Sequence, residues 1–103
     1  MPVKYRVEIA AAAESDIREI FDYIAADNPE YAGAFVTELL GQVSTLEQFP
    51  RRCPLVPENE ILGTRYRHLV YGHYRTVFRI EGKIVIVMRV LHETRLLESE
   101  MRK

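Results

Sequence analysis

The sequence has little of several features on which common classes of protein depend. Its 103 residues include one cysteine, five glycines and five prolines. A single cysteine excludes an internal disulfide and fits a reducing compartment, and so few glycines and prolines exclude a fibrous or linker-like chain. No apolar run approaches the roughly 20 residues that a membrane helix needs. Because the amino end also carries no export signal, we predict a cytoplasmic protein that does not bind membranes.

The residue patterns that hold common cofactors are missing as well. The five glycines are scattered and form no glycine-rich phosphate loop, so ATP hydrolysis and dinucleotide chemistry are set aside. The cysteine and the three histidines do not lie at the spacing of metal ligands. We therefore predict a function that needs neither a cofactor nor a metal.

What is present is the composition of one globular domain, with 48% hydrophobic and 28% charged residues. A chain of this length builds one modest core, so we predict a single domain over residues 1–103. Its charge is divided along the chain, because residues 1–50 hold three basic and nine acidic residues, whereas residues 61–95 hold seven basic and two acidic ones. Either the acidic and basic halves of such a chain neutralise each other within the fold, or the basic half binds an anionic partner. That partner is an acidic protein segment or a nucleic acid.

The first half of the sequence predicts a strand and two helices. Apolar and polar residues alternate over residues 3–9, which indicates a half-buried strand. Apolar side chains then recur at helical spacing between Ile17 and Ile24, which indicates an amphipathic helix. Asn28 and Pro29 suit the N-cap and the first position of a second helix. With so short a connection, we expect the two helices to pack as an antiparallel hairpin.

The second half predicts three further strands. A proline-containing loop over residues 49–63 leads into strands at about 65–71, 74–80 and 84–91, joined by compact turns. They should form an antiparallel meander. A charged tail from residue 93 to residue 103 follows, with one turn of helix at most. The predicted fold class is α+β: a strand, an antiparallel two-helix hairpin, a three-stranded antiparallel meander and a short C-terminal tail.

The turns decide which side chains share a face of the meander. A two-residue turn at residues 72–73 places Val70 opposite Arg75. For the second connection we favour a three-residue loop, residues 81–83, which places Arg79 opposite Val85 and Arg75 opposite Arg89. A two-residue turn there would flip the last strand and mix the faces. The favoured register gives the helices an apolar face made of Tyr74, Thr76, Phe78, Ile80, Ile84, Ile86, Met88 and Val90. It leaves exposed a basic, partly apolar outer face that carries Tyr66, His68, Arg75, Arg79 and Arg89.

Three stretches of the sequence together resemble the RelE/ParE superfamily of type II toxin–antitoxin toxins, and in particular its ParE branch, also called plasmid stabilisation proteins. The stretches are YRVEI at 5–9 with AAESDI at 12–17, DYI at 22–24 with NPE at 28–30, and YRTVFRI at 74–80 leading into RVLH at 89–92. The likeness covers essentially the whole chain, and the order and spacing of the stretches carry it. It implies the fold described above and a small bacterial toxin, encoded beside an antitoxin that neutralises it in a toxin–antitoxin complex.

The two branches of the superfamily imply different activities. ParE-type toxins inhibit DNA gyrase, and with it replication, by binding and without catalysis. The resemblance to that branch, which we favour, implies no catalytic residue and an antitoxin- or target-binding surface made of Arg75, Arg79, Arg89, His92 and Arg95.

RelE-type toxins are the alternative, as ribosome-dependent endoribonucleases that cleave mRNA. Such cleavage needs a base, cations for the phosphate and an acid. RelE-type toxins place two lysines before the first meander turn, an arginine after it and a tyrosine near the carboxyl end. Arg75 matches the arginine, but the lysine positions hold Tyr66 and His68 and the terminal tyrosine is missing. On this alternative Arg75, His68 and His92 are the catalytic candidates. A third reading is a non-toxic module that only binds its antitoxin.

The one cysteine lies in the long loop between Arg52 and Pro54. Neighbouring guanidinium groups favour the thiolate, so we expect a lowered pKa for Cys53. The sequence places no base beside it, and the role of Cys53 stays open.

Overall fold

The computed structural model describes residues 4–95 and Leu97. The elements follow the predicted order, so the α+β prediction is confirmed, whereas the helical turn considered for the tail lies, apart from Leu97, outside the described residues. The strands and long helices are β1 (Arg6–Ile9), α1 (Ala11–Ala25), α2 (Pro29–Ser44), β2 (Arg67–Tyr71), β3 (Tyr74–Glu81) and β4 (Ile84–His92). The α2–β2 connection holds two 3-10 turns, Thr45–Glu47 and Pro50–Arg52, and a short helix α3 (Asn59–Leu62).

The helical hairpin begins and turns where the sequence predicts. The side chain of Asn28 accepts a hydrogen bond of 3.1 Å from the backbone N–H of Tyr31, and Pro29 occupies the first helical position. These two residues satisfy or remove amide donors that the first turn leaves without a partner. Leu39 and Val43 of α2 are almost fully buried, and each contributes about 2 kcal/mol through apolar burial.

The four strands form one sheet in the order β1-β4-β3-β2. The meander is antiparallel, as predicted, and β1 pairs with β4 in parallel, with Arg6 opposite Ile84 and Ile9 opposite Val87. The helical hairpin packs on one face of this sheet, and the main core lies between the two layers.

The register of the first turn is confirmed and that of the second is wrong. Val70 lies opposite Arg75, as a two-residue turn requires. The β3–β4 turn also has two residues, because Glu81 pairs with Ile84 and Gly82 supplies the left-handed conformation at φ +58°. Arg79 therefore lies opposite Ile86 instead of Val85, and Arg75 lies opposite Leu91 instead of Arg89.

A β-bulge then restores the core face of β4. Phe78 pairs with Val87 whereas its neighbour Val77 pairs with Arg89, so Met88 is an extra residue in β4. The two-residue turn places the fully buried Val85 and Val87 in the main core, where the predicted register placed Ile84 and Ile86. The bulge then returns Val90 to the same face, opposite Thr76. The bulge lets a two-residue turn coexist with an apolar helix-facing side.

The expectation of an exposed outer face is also wrong, because the α2–β2 connection folds across it. A second apolar cluster joins Val56 and Leu62 of that connection to Val77 of β3, Leu91 of β4 and Leu97 of the tail. These apolar residues are too irregularly spaced to predict an element, yet burying them stabilises the fold. In the described part of the chain, no helix is long and apolar enough to span a bilayer.

Candidate functional site

A groove of about 820 Å³ runs between the helical hairpin and the end of the sheet where the β2–β3 turn meets the last residues of β4. Residues of α1 lie on one wall because the helical repeat brings Asp16, Ile20 and Tyr23 to one side. The first turns of α2 contribute Tyr31 and Phe35. The remaining lining residues are Glu19, Ile24, Gly72, His73, Tyr74, Arg89, Val90, Leu91, His92, Thr94 and Arg95.

Aromatic rings form a continuous row beside and within this groove. The ring centroid of Phe35 lies 5.4 Å from that of Tyr71 and 5.5 Å from that of Tyr74. Tyr74 meets His92 edge-on at 5.3 Å, and His92 stacks with His73 at 6.1 Å. Rings at these separations pack favourably, and together they give the groove an apolar surface with polar edges.

Two further tyrosines project from the helices beside the row. The side chains of Tyr23 and Tyr31 are 78% and 55% exposed, so much of each ring is available to a partner. Burial, with a smaller contribution from nearby Tyr23, raises the pKa of Tyr74. Tyr74 therefore keeps its hydroxyl proton at neutral pH and adds a hydrogen-bond donor to the groove.

An ion pair connects α1 and β4 at the groove. Nε and Nη2 of Arg89 donate to the two carboxylate oxygens of Asp16 over 2.8 and 2.9 Å, and the backbone N–H of Val90 donates to Asp16 over 2.9 Å. Such a two-pronged contact is both strong and directional. Asp16 was not among the predicted site residues, although its position in the sequence carries a signal: this carboxylate lies at helical spacing from Ala13 and Ile20, on the buried side of α1.

Two more of the predicted surface residues line the groove. Nδ1 of His92 accepts the backbone N–H of Thr94 over 3.2 Å, so the neutral ring carries its proton on Nε2. Arg95 is exposed at the rim of the groove, and His73 lies 3.1 Å from Glu93. The structure therefore brings together Arg89, His92 and Arg95 of the predicted set.

Arg75 does not share the groove, and the expectation that it lies on the surface is wrong. Its side chain is buried on the outer face of the sheet, where both terminal nitrogens donate to the carboxylate of Glu58, Nη1 over 3.0 Å. Nη2 also donates to the backbone oxygen of Arg95 over 2.9 Å, and the N–H of Leu97 donates to Glu58 over 3.0 Å.

The hydrogen bonds from Arg75 lower the pKa of Glu58 to about 2. Both members of the pair are therefore charged at neutral pH, and each neutralises the other. No sequence pattern predicts this ion pair, because Glu58 precedes Arg75 by 17 residues in a segment without regular periodicity.

The other two candidates lie apart from the groove as well. His68 neighbours the Arg75–Glu58 pair, and burial, assisted by the charge of Arg75 and opposed by that of Glu58, lowers its pKa. His68 is therefore neutral at physiological pH. Arg79 is exposed and lies 3.2 Å from Glu81, near the β3–β4 turn.

The expectation for Cys53 is also wrong. The residue is 4% exposed, and burial raises its pKa despite the opposing charges of Arg52 and Arg67. Its side chain behaves as a small apolar group of the main core. No group of three His, Cys, Asp or Glu residues within the described ranges is arranged to hold a metal ion.

Comparison with known proteins finds likenesses of sequence and of fold. A family model described as the ParE toxin of type II toxin-antitoxin system, parDE, matches residues 7–97. No curated protein sequence matches significantly.

Among solved structures, the fold is similar to a chain of the chromosomal ParDE TA system from P. aeruginosa, with a TM-score of 0.68 and 24% identity over 86% of this chain and 96% of that one. It is also similar to a chain of the toxin-antitoxin complex RelBE2 from Mycobacterium tuberculosis, with a TM-score of 0.56 and 26% identity over 87% of this chain and 99% of that one.

Proposed function

The chain belongs to the ParE toxin family of type II toxin–antitoxin systems, and from that premise we propose that it inhibits DNA gyrase by binding and is neutralised by a cognate antitoxin. The two similar solved structures come from a ParDE system and a RelBE2 complex, which supports an antitoxin as one partner. The proposal assigns no bond-making or bond-breaking step to this chain.

The environment of Arg75 is the observation that carries the proposal. Resemblance to RelE-type toxins makes this residue the cation that would meet the reacting phosphate of mRNA. Arg75 is 7% exposed, and both terminal nitrogens are occupied by Glu58. A guanidinium that is neutralised in this way offers little to a phosphate. Its neighbour His68 is neutral and partly buried. This arrangement favours inhibition by binding over ribonuclease activity.

The groove suits an amphipathic protein segment. Exposed rings at Tyr23 and Tyr31 offer apolar area at little entropic cost, and such residues dominate the energy of many interfaces. Arg95 and Glu19 supply charges of both signs at the groove. We assign this groove to the antitoxin, and we propose that its occupation blocks access of the toxin to gyrase.

A supercoiling assay tests the gyrase proposal. The purified chain is added to gyrase, ATP and relaxed plasmid, and the supercoiled product is followed on a gel. We expect inhibition that is relieved when the protein encoded beside the toxin is added in equal amount. Undiminished supercoiling at a large excess of folded toxin would contradict the proposal, and cleavage of ribosome-bound mRNA by the same preparation would favour the RelE-type alternative.

Variants of exposed groove residues test the antitoxin assignment. Tyr23→Ala and Arg95→Glu should each weaken antitoxin binding by about tenfold, since each removes one exposed contact. Arg18→Glu is the control, because Arg18 is exposed on α1 and does not line the groove. Binding is measured by calorimetry. Equal antitoxin binding by wild type and the three variants would place the antitoxin elsewhere.

A further inference from the structure

A second exposed surface lies in the α2–β2 connection, and it combines an aromatic ring with arginines. Phe49 is 65% exposed and adopts the left-handed conformation, with φ 48° and ψ 52°. It is the only residue other than glycine with a positive φ among those the structure describes. A bulky side chain rarely adopts this conformation, and the residue before a proline normally prefers an extended one. The fold therefore holds Phe49 outward against its local preference.

Hydrogen bonds from the side chain of Arg52 stabilise this conformation. Nη1 of Arg52 donates to the backbone oxygens of Gln48 and Phe49 over 2.7 and 3.1 Å, and Nη2 donates to the hydroxyl of Thr45 over 2.8 Å. These bonds connect Arg52 to the residues that lead up to Phe49 and to Phe49 itself. Residues in strained backbone conformations cluster at active sites, ligand clamps and switch regions.

Arg67 supports the same segment from β2. Its Nη1 donates to the backbone oxygens of Arg51 and Cys53 over 3.1 and 2.6 Å. Leu55, which is 53% exposed, forms an isolated bridge with Arg67. We name the surface made of Phe49, Arg51, Arg52, Leu55 and Arg67 the arginine–phenylalanine patch.

The positive charge of this patch is not balanced locally. Arg52 and Arg67 bond to uncharged oxygens, and in the described part of the chain no carboxylate lies within ion-pair distance of Arg51, Arg52 or Arg67. The patch thus combines three positive charges with two exposed apolar side chains, although the whole chain has a net charge of −1. An anionic partner would be attracted to it electrostatically.

We propose that the arginine–phenylalanine patch is a docking site for an acidic protein segment that carries apolar side chains. Leu55 decides between protein and nucleic acid, because an exposed leucine paired with Arg67 adds apolar area that phosphates and sugars do not match. The patch is separate from the groove: α2 runs from Tyr31 at the groove to Ser44 beside the patch, a span of about 20 Å. It therefore adds a second binding surface to the proposed function.

Fluorescence anisotropy with a defined probe tests the docking site. The probe is a fluorescein-labelled peptide of repeated Glu-Glu-Leu triplets, compared with a Gln-Gln-Leu peptide of equal length and with single-stranded oligodeoxythymidylate of equal charge. We expect saturable binding of the acidic peptide that weakens as salt is raised, and weaker binding of both comparison probes. Absence of saturable binding, or tighter Arg51-dependent binding of the oligonucleotide, would overturn the proposal.

Two substitutions locate the binding on the protein. Arg51→Glu should weaken peptide binding about tenfold. It should leave folding intact, because the side chain of Arg51 makes no hydrogen bond within the described structure. Arg18→Glu makes the same change of charge on α1 and should leave binding nearly unchanged. An equal effect of both variants would show attraction to overall charge only and would contradict the proposal.

Phe49→Gly separates binding from stability. Glycine adopts a positive φ without strain, so we expect the midpoint of thermal unfolding not to fall, whereas peptide binding should weaken about tenfold. Unchanged binding by Phe49→Gly would overturn the proposal. Tyr23→Ala, in the groove, should leave binding of the acidic peptide intact. The docking proposal for the patch and the antitoxin proposal for the groove can therefore be refuted independently of each other.

Discussion

Burial determines what each arginine of the sheet does. Arg75 and Arg89 lie at low exposure, and each is held by a carboxylate from another element, Glu58 and Asp16. A guanidinium removed from water is costly unless it is paired and hydrogen-bonded. Arg79, by contrast, is exposed beside Glu81, where an ion pair contributes little. The three side chains look alike in the sequence, and only their surroundings distinguish them.

Glu58→Gln should destabilise the protein by about 3 kcal/mol at neutral pH, because it leaves the charge of Arg75 buried without a counterion. The pKa of Glu58 is about 2 in the folded protein and 4.5 when unperturbed. The contribution of the Arg75–Glu58 ion pair to the free energy of unfolding is therefore complete above about pH 4.5, and it is lost as the pH falls toward 2. Urea unfolding of both proteins at several pH values measures the difference.

The matched control for this prediction is Glu60→Gln. Glu60 is exposed on α3 and forms no ion pair within the described residues, so its substitution should leave the free energy of unfolding nearly unchanged. The free energies of unfolding of wild type and Glu58→Gln are compared from pH 7 down to the acid range. A difference that stays constant over this range would show that the ion pair does not act through the charge of Glu58.

At the scale of elements, local signals were sufficient for the helices and for the first turn. The hydrogen bond with which Asn28 caps α2 joins residues only three positions apart in the sequence. Gly72 permits the turn that places Val70 opposite Arg75. Each depends on the residues nearest to it. The sequence therefore predicted these elements, their order and half of the meander register.

The remaining register and the covered outer face depend on distant residues. The extra residue Met88 gives β4 a bulge that returns Val90 to the core. Such a bulge can be predicted only when the residues that pack against the strand are known. Likewise Val56 and Glu58 cover β3 from an irregular segment. Periodicity carries no information on such contacts, which explains why only Arg89, His92 and Arg95 of the predicted binding surface line the groove.

Two glycine-to-alanine substitutions should change stability in opposite directions. Gly41→Ala lies within α2 and should stabilise by about 0.5–1 kcal/mol, because alanine is the better helix former. Gly82→Ala should destabilise by about 1 kcal/mol, because φ is +58° at that turn. In both places an added methyl group meets nothing within 4 Å, so the difference is conformational. Urea unfolding provides the measurement, and effects of the same sign would contradict the argument.

At the scale of the whole molecule, the divided charge of the chain is only partly neutralised within the fold. Asp16 of the acidic half is paired with Arg89 of the basic half, whereas Arg6–Glu8 and Arg79–Glu81 pair within a half. The two proposed surfaces lie at opposite ends of α2, the groove with mixed charge and the arginine–phenylalanine patch with positive charge. A protein built in this way suits binding to more than one partner segment.

Inhibition of gyrase by binding is the activity that we propose for this ParE-family chain. The most direct test in cells is to express the chain alone from a tightly repressed promoter and to follow thymidine and leucine incorporation in the same culture. We predict that thymidine incorporation falls first, because replication stops when gyrase is inhibited. An early collapse of leucine incorporation, with replication slowing only later, would place the target in translation and contradict the claim, as would unaffected growth.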